Sequence, residues 1–340
     1  MYSEADLDAA VADGVISAEA ASALRAHVAS QRTTPAADEE QFRLLTGFND
    51  IFVSIAIILV LVALAWLASS AGLLVGAVAV AAASWGLAEF FTRRRRMALP
   101  SIILLASFAA AGMVGGAMLA MMVLERAGLR PGGDSVATAS GAGLALAAAF
   151  LHWRRFRVPI TVAVGALAAV GAVVATLIAA VPGLGDKWLV LVFVSGIALF
   201  ALAMRWDMSD RARSTRRSDV AFWLHLSAAP LIVHPVFALL GLLSMGADIG
   251  KAALAFGLYL LLAAVALVVD RRALLVSALS YVLYAISALV QAAGAVGVNF
   301  SLTALVVGSG LLLLSAFWHT VRRLVLGLVP DGLRARMPIA

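Results

Sequence analysis

The stretch from Ile51 to Ser70, IFVSIAIILVLVALAWLASS, contains no charged side chain. About 20 apolar residues in one α-helix are enough to cross the hydrocarbon core of a bilayer. Similar apolar stretches follow along most of the chain, separated by short polar connections. The sequence therefore predicts an all-α, polytopic membrane protein.

The composition supports the same class. Apolar residues make up 63% of the 340 residues and charged residues 13%, and the mean hydropathy is +1.02. An average soluble domain has roughly 45–50% apolar and about 25% charged residues. A soluble fold would lack the polar surface to cover itself, which excludes an ordinary cytoplasmic enzyme and a disordered protein. The chain has no cysteine, which excludes disulfides, thiolate metal sites and cysteine nucleophiles.

We predict ten membrane-spanning helices. They cover residues 48–69, 71–91, 98–124, 136–152, 159–180, 187–205, 220–245, 251–269, 273–291 and 300–319. Arginines are concentrated after every second span: Arg93 to Arg96, Arg154, Arg155, Arg157, Arg211, Arg213, Arg216, Arg217, Arg271, Arg272, Arg322 and Arg323. Because positive charge is retained on the cytoplasmic side of a membrane, this alternation predicts that both termini are cytoplasmic.

Residues 1–34 predict a cytoplasmic helical hairpin. Asp13–Gly14 ends its first helix, since Gly tolerates the left-handed position after a helix, and Ser17 caps the second. Residues 35–47 form a polar linker, 48–330 the ten-helix membrane domain, and 331–340 a cytoplasmic tail. The hairpin is too small for a core of its own, so we expect it to dock on the membrane domain, a second copy or a cytoplasmic partner.

A polar hairpin carrying Asp13-Gly14-Val15-Ile16-Ser17 and followed by many apolar spans resembles the bacterial membrane proteins grouped as domain of unknown function 2157. The resemblance covers roughly residues 1–70. It implies an integral protein of the bacterial cytoplasmic (inner) membrane. It implies no established activity or site.

Span seven contains the most specific local feature, DVAFWLHLSAAPLIVHP, from Asp219 to Pro235. Each proline removes a backbone donor and clashes one turn back, so we expect this span to be kinked or broken near its middle. His225, Ser227 and His234 are candidate substrate-binding residues; the alternative is that each histidine only bonds a neighbouring helix. The two histidines lie on opposite faces of an ideal helix, which gives no support for a shared metal or haem.

Span nine carries a polar stripe at helical spacing. Such a stripe lines a polar path, or alternatively lets helices pack closely and bond across their interface. Its candidate substrate-binding residues are Ser277, Ser280, Tyr281, Tyr284, Ser287 and Gln291.

The acidic residues near the spans lie at predicted span ends. Asp50 is expected to cap the first span, Glu89 to pair with Arg93, and Asp270 abuts Arg271. No carboxylate lies at mid-span, which argues against a carboxylate-based ion pathway. We therefore predict no catalytic residue, metal or cofactor.

Three functions remain open. The first is a transporter, channel or lipid-handling protein with a cavity near spans seven and nine. The second is a non-enzymatic scaffold or regulator that recruits a partner through the hairpin, and the third is a membrane enzyme or haem protein using the two histidines of span seven. The expected partners are membrane lipids, including anionic headgroups at the cytoplasmic arginines, and a cytoplasmic protein or a second copy. We expect no nucleic acid.

Overall fold

A computed structural model describes residues 4–31, 48–129, 135–210, 213, 215–242, 249–272, 275–276, 279, 281, 283, 299–330 and 332. Every described element is helical. The chain divides into two compact units, one up to Leu44 and one from Leu45 onward. Each unit is described by itself.

The N-terminal unit is a helical hairpin, with α1 at Glu4–Ala12 and α2 at Ala18–Gln31. Gly14 has a φ of 69°, as predicted for the residue that ends α1. The Ser17 hydroxyl accepts a hydrogen bond from the Ala20 amide at 3.1 Å, which confirms the predicted cap of α2. An ion pair between Asp8 and Arg25, 2.7 Å long, joins the two helices.

The second unit consists of α3 to α12 with two short irregular turns. The helices are α3 (Phe48–Ser69), α4 (Leu73–Ala88), a π-helix (Glu89–Arg94), α5 (Ala98–Arg126), α6 (Ser135–Phe156), α7 (Ile160–Ala180), a 3₁₀ turn (Leu184–Lys187), α8 (Trp188–Met208), α9 (Arg216–Leu239), α10 (Ile249–Val269), α11 (Asn299–Ala316) and α12 (Trp318–Leu326).

Seven of the described helices are long and apolar enough to cross a membrane, and they coincide with the first seven predicted spans. Among described residues the apolar part of α10 is shorter, Ala253–Val269, so a total of ten spans is not confirmed. Most of predicted span nine lies outside the described residues.

Predicted span ten is interrupted. We expected one helix over 300–319, but α11 ends at Ala316 and a separate helix, α12, begins at Trp318. The buried side chains of α12 are Trp318, Arg322 and Leu326, which share one face at helical spacing. Arg322 can lie on this face because it contacts the Leu267 carbonyl and the Asp270 carboxylate at the end of α10. Helix α12 is therefore amphipathic, unlike the apolar helix before it.

Small residues set the distance between α5 and α6. A Cβ atom at Gly116 would lie 2.7 Å from the carbonyl oxygen of Ser140, and one at Gly141 would lie 2.5 Å from that of Met113. The GxxxG spacing of Gly112 and Gly116 is thus used for close helix packing.

Helix α9 is the most buried of the candidate membrane spans. Half of the residues in its apolar stretch are buried, whereas the buried share in the other six candidate spans is 11–33%. It continues as one α-helix through Pro230 and Pro235, so the interruption that the prolines led us to expect as one outcome is absent. Pro235 leaves the Leu231 carbonyl without its helical donor, and α8 approaches the backbone there: a Cβ at Gly196 would lie 2.8 Å from the Leu231 carbonyl carbon.

Candidate functional site around helix α9

Helix α9 carries three predicted site residues, and all are buried or half-buried: His225, Ser227 and His234. Tyr281, from predicted span nine, is helical and half-buried. The other predicted site residues lie outside the described part of the chain: Ser277, Ser280, Tyr284, Ser287 and Gln291.

His234 and Tyr281 form one polar centre. The Nδ1 atom of His234 lies 2.9 Å from the hydroxyl oxygen of Tyr281. The Tyr281 ring packs on Phe237 with centroids 4.8 Å apart, and the ring of Trp188, at the start of α8, lies 6.4 Å from that of His234. Two predicted site residues from spans seven and nine are therefore in direct contact.

His225 belongs to a separate polar centre. Its Nε2 lies 2.8 Å from Oδ2 of Asp207, near the end of α8. Arg271, which follows α10, places Nη2 2.5 Å from Oδ1 of Asp207 and Nε 3.2 Å from Oδ2. None of these three side chains is more than 3% exposed. The Asp207 carboxylate thus joins α8, α9 and the end of α10.

Asp270 provides a second buried carboxylate. Its Oδ2 accepts a hydrogen bond from Nη1 of Arg213 at 2.8 Å, and its Oδ1 accepts one from Nε1 of Trp318 at 2.7 Å. Arg322 Nε lies 3.6 Å from the same Oδ1 and donates to the Leu267 carbonyl at 3.1 Å. This carboxylate connects the α8–α9 connection, α10 and α12.

We refer to these side chains together as the buried charge network. It consists of Asp207, Arg213, His225, Asp270, Arg271, Trp318 and Arg322.

The turn after α10 explains why two adjacent residues reach different helices. Asp270 has a φ of 58°, a left-handed conformation that Asp adopts more readily than most residues. The Arg271 amide donates to the Ala266 carbonyl, five residues earlier, at 2.9 Å. This is the hydrogen bond that closes a helix ending in a left-handed residue. As a result the Asp270 side chain bonds α12, and the Arg271 side chain bonds α8.

A second local device fixes the start of α9. The Thr215 hydroxyl accepts a hydrogen bond from the Arg217 amide at 3.2 Å, as an N-cap does. Thr215 is held in turn by Asp210, whose Oδ2 accepts from its amide at 2.9 Å and from its hydroxyl at 2.6 Å. The register of α9, and with it the position of His225, is therefore set close to the end of α8.

The chemistry of the network follows from its burial. Taking an ion out of water costs several kcal/mol, so buried charges persist where opposite charges and hydrogen bonds offset that cost. Here two carboxylates are matched by three guanidinium groups. His225 Nδ1 has no hydrogen-bond partner among the described residues, so the ring has one nitrogen available for a further polar group.

Metal binding has no support in the described part of the chain. No group of three or more His, Asp or Glu side chains is placed there to hold an ion. His225 and His234 bond different partners, Asp207 and Tyr281, as their opposite faces on α9 predict.

Sequence reasoning missed Asp207 and the buried roles of Arg271 and Arg322. Predicted span six stops at residue 205, which leaves Asp207 in a connection, whereas α8 continues to Met208. The available signal was the Arg205-Trp206-Asp207 run, because a charge that follows directly on an apolar helix often lies inside its last turn. The sequence predicts the two arginines as topology signals and contacts to anionic lipid headgroups, not as buried partners of carboxylates.

Comparison with models of known protein families, with curated proteins and with solved structures finds no match. The resemblance of the N-terminal part of the chain to domain of unknown function 2157 stays a prediction.

Proposed function

We propose that the chain is a multi-pass protein of a bacterial inner membrane that moves a polar solute or a lipid headgroup, as a transporter, a channel or a lipid-handling protein. One observation carries this proposal. Helix α9, the most buried candidate span, brings two separate polar centres into the interior of the membrane unit. Polar side chains are costly in hydrocarbon and typically mark substrate or ion pathways there.

The two centres offer polar groups at different depths of α9, on opposite faces of the helix. His225 and His234 are nine residues apart, or about 14 Å of helix. The first is bonded near the end of α8, and the second lies near Trp188 at its start. Ser227 lies between them and is half-buried. A substrate that contacted both histidines would therefore pass from one face of α9 to the other.

We assign the buried charge network the part of a gate at one end of this path. Its bonds tie α8, α9, α10 and α12 together, and they must break before these helices separate. Asp207 is shared between His225 and Arg271, so a polar group that binds His225 acts on the ring that holds this carboxylate. The arginine alternation supports placing this end, and both termini, in the cytoplasm.

Purified protein in lipid vesicles tests the proposal. We expect protein-dependent release of at least one of a set of small polar solutes, or movement of fluorescent phospholipid between leaflets. His234→Ala should lower the rate about tenfold, the loss expected when the moving substrate forgoes one hydrogen bond of about 1.4 kcal/mol to the imidazole. The control is Ser195→Ala, whose hydroxyl bonds the Leu191 carbonyl of its own helix at 2.8 Å and which should leave the rate unchanged.

Folded protein that moves neither solute nor lipid contradicts the proposal. Equal rates for the His234 variant and the wild-type chain would remove α9 as the site.

A scaffold or regulator is the second candidate, and the hairpin favours it. The hairpin is a unit of its own and exposes Val15 by 75% and Leu24 by 45%, which offers apolar surface to a partner. Deleting residues 1–34 separates the two functions, since a scaffold loses its partner whereas a transporter keeps substrate movement.

A further inference from the structure

A groove runs along the end of α4 and the π-helix, away from α9. It encloses about 410 Å³ and is lined by Gly86, Glu89, Phe90, Arg93 and Arg94. Turns of π-helix are rare and often occur at functional sites. The preceding apolar residues of α4 lead directly into the groove, so it lies at the depth where a membrane span ends.

The carboxylate that lines the groove is already neutralised. Arg155, from the end of α6, donates from Nε to Oε1 of Glu89 at 2.6 Å and from Nη2 to Oε2 at 2.9 Å. Such a two-pronged pair is among the strongest hydrogen-bonded arrangements in proteins. Arg93 makes a longer contact with Glu89, 3.4 Å, and its side chain is 55% exposed. The guanidinium groups of Arg93 and Arg94 therefore remain accessible to an anion.

The surroundings of the groove are strongly positive. The ends of α4 and α6 carry seven arginines against the single Glu89: Arg93, Arg94, Arg95, Arg96, Arg154, Arg155 and Arg157. The local excess of six positive charges equals the formal net charge of the whole chain, +6. Arginine matches phosphate oxygens with paired hydrogen bonds, so phosphate is the anion that fits this surface.

The other wall of the groove is apolar and open. Gly86 has no side chain, and a Cβ built there meets no atom within 4 Å. Phe90 is 42% exposed beside it, and the Arg95 guanidinium lies over its ring, 5.6 Å from the centroid, so one ring face already carries a cation. An anion alone uses the arginines, whereas a phospholipid also uses this apolar wall for the start of an acyl chain.

We propose that this groove binds an anionic phospholipid. Arg93 and Arg94 hold the headgroup phosphate, Arg155 keeps Glu89 paired and out of its way, and an acyl chain passes over Gly86 and Phe90. The site requires only that the protein is embedded in a membrane. It is independent of whether α9 forms a path for substrate.

Native mass spectrometry of the full chain in detergent tests the site by titration. The probes are phosphatidylglycerol, phosphatidylcholine with the same acyl chains, and inorganic phosphate. We expect phosphatidylglycerol to bind most tightly. Replacing Arg93 and Arg94 by Gln should weaken it about fivefold for each arginine, the equivalent of about 1 kcal/mol per cationic side chain at an anionic surface.

Matched variants separate a site from general attraction. Arg216→Gln with Arg217→Gln removes the same charge from exposed residues at the start of α9 and should leave the affinity unchanged. Gly86→Leu should block the groove and weaken binding, and the Cβ that it adds meets no atom within 4 Å. Gly257→Leu, at an equally open glycine of α10, should not.

Any of these results overturns the proposal: equal binding of the two phospholipids, equal loss in both arginine pairs, or full binding by the Gly86 variant. If inorganic phosphate competes with phosphatidylglycerol at equal concentration, the groove recognises free phosphate, and the lipid assignment is wrong.

Discussion

Asp207 joins α8, α9 and the end of α10 through buried hydrogen bonds, a role that a hydropathy profile does not indicate. Its carboxylate accepts hydrogen bonds from His225 and from Nε and Nη2 of Arg271, and all three side chains are buried. In such a pair the desolvation cost of each charge is offset only while the partner is present. The residue is therefore a point at which a single change should destabilise the packing of three helices.

Arg271→Gln tests this at the residue scale. Removing one member of a buried ion pair strands the other, and we expect a loss of about 3 kcal/mol in the free energy of unfolding. Unfolding in mixed detergent and SDS micelles measures it. Adding Asp207→Asn should cost less than the two single changes summed, since the stranded charge is then gone. Losses no larger than that of the exposed Arg216→Gln would contradict a coupled buried pair.

Contacts of this kind lie beyond sequence-based prediction because their members are far apart in the chain. His225 follows Asp207 by 18 residues and Arg271 follows it by 64 residues, on different helices. Asp270 was predicted to have a structural role beside Arg271, but its bonds to Arg213 and Trp318 depend on how α10 and α12 pack. In contrast, the caps at Gly14 and Ser17 are local and could be predicted.

At the scale of elements, close approach of α5 and α6 depends on glycine. The backbone carbonyl of Ser140 lies where a Gly116 side chain would begin, and backbone moves less easily than the end of a side chain. The GxxxG spacing alone does not establish this, because the chain has 28 glycines and the pattern recurs by chance. The close contacts at Gly116 and Gly141 establish it for α5 and α6.

Gly116→Ala should therefore lower the free energy of unfolding by about 1–3 kcal/mol through overpacking. The same detergent unfolding measurement checks it. The control is Gly257→Ala, where the added methyl meets no atom within 4 Å and better helix propensity should stabilise the protein by up to about 1 kcal/mol. Equal effects of the two changes would show that α5 and α6 are not held at this distance.

Two elements differ from the sequence-based expectation for physical reasons. The prolines of α9 do not break it, since the packing of its buried half holds one continuous helix from Arg216 to Leu239 despite two missing donors. The chain forms two helices, not one, around residue 317. The buried face of α12 packs against the end of α10, where Arg322 bonds the Leu267 carbonyl, and Leu324 is exposed on the opposite face. Local sequence rules do not include these neighbours.

At the scale of the whole molecule, hydropathy predicted the seven confirmed apolar helices closely. The first begins and ends where predicted, at Phe48 and Ser69. The sixth runs past its predicted end at residue 205, up to Met208. Hydropathy ends a span at the first charged residues, whereas Asp207 is buried within the last turn of α8. The contact of His234 with Tyr281 joins two candidates chosen from separate spans. The contacts of Asp207, in contrast, depend on tertiary packing.

The most direct test of a polar path along α9 is a single-cysteine scan, which the absence of native cysteine makes clean. Cysteine is introduced at Ser227 or His234, and at Leu59 or Val62 of α3, which are 65% and 62% exposed apolar positions. A membrane-impermeant thiol reagent reacts with the thiolate, which forms in water and not in hydrocarbon. The account predicts rapid labelling at 227 and 234 in intact membranes and none at 59 and 62. Labelling at 227 and 234 as slow as at 59 and 62 would contradict it.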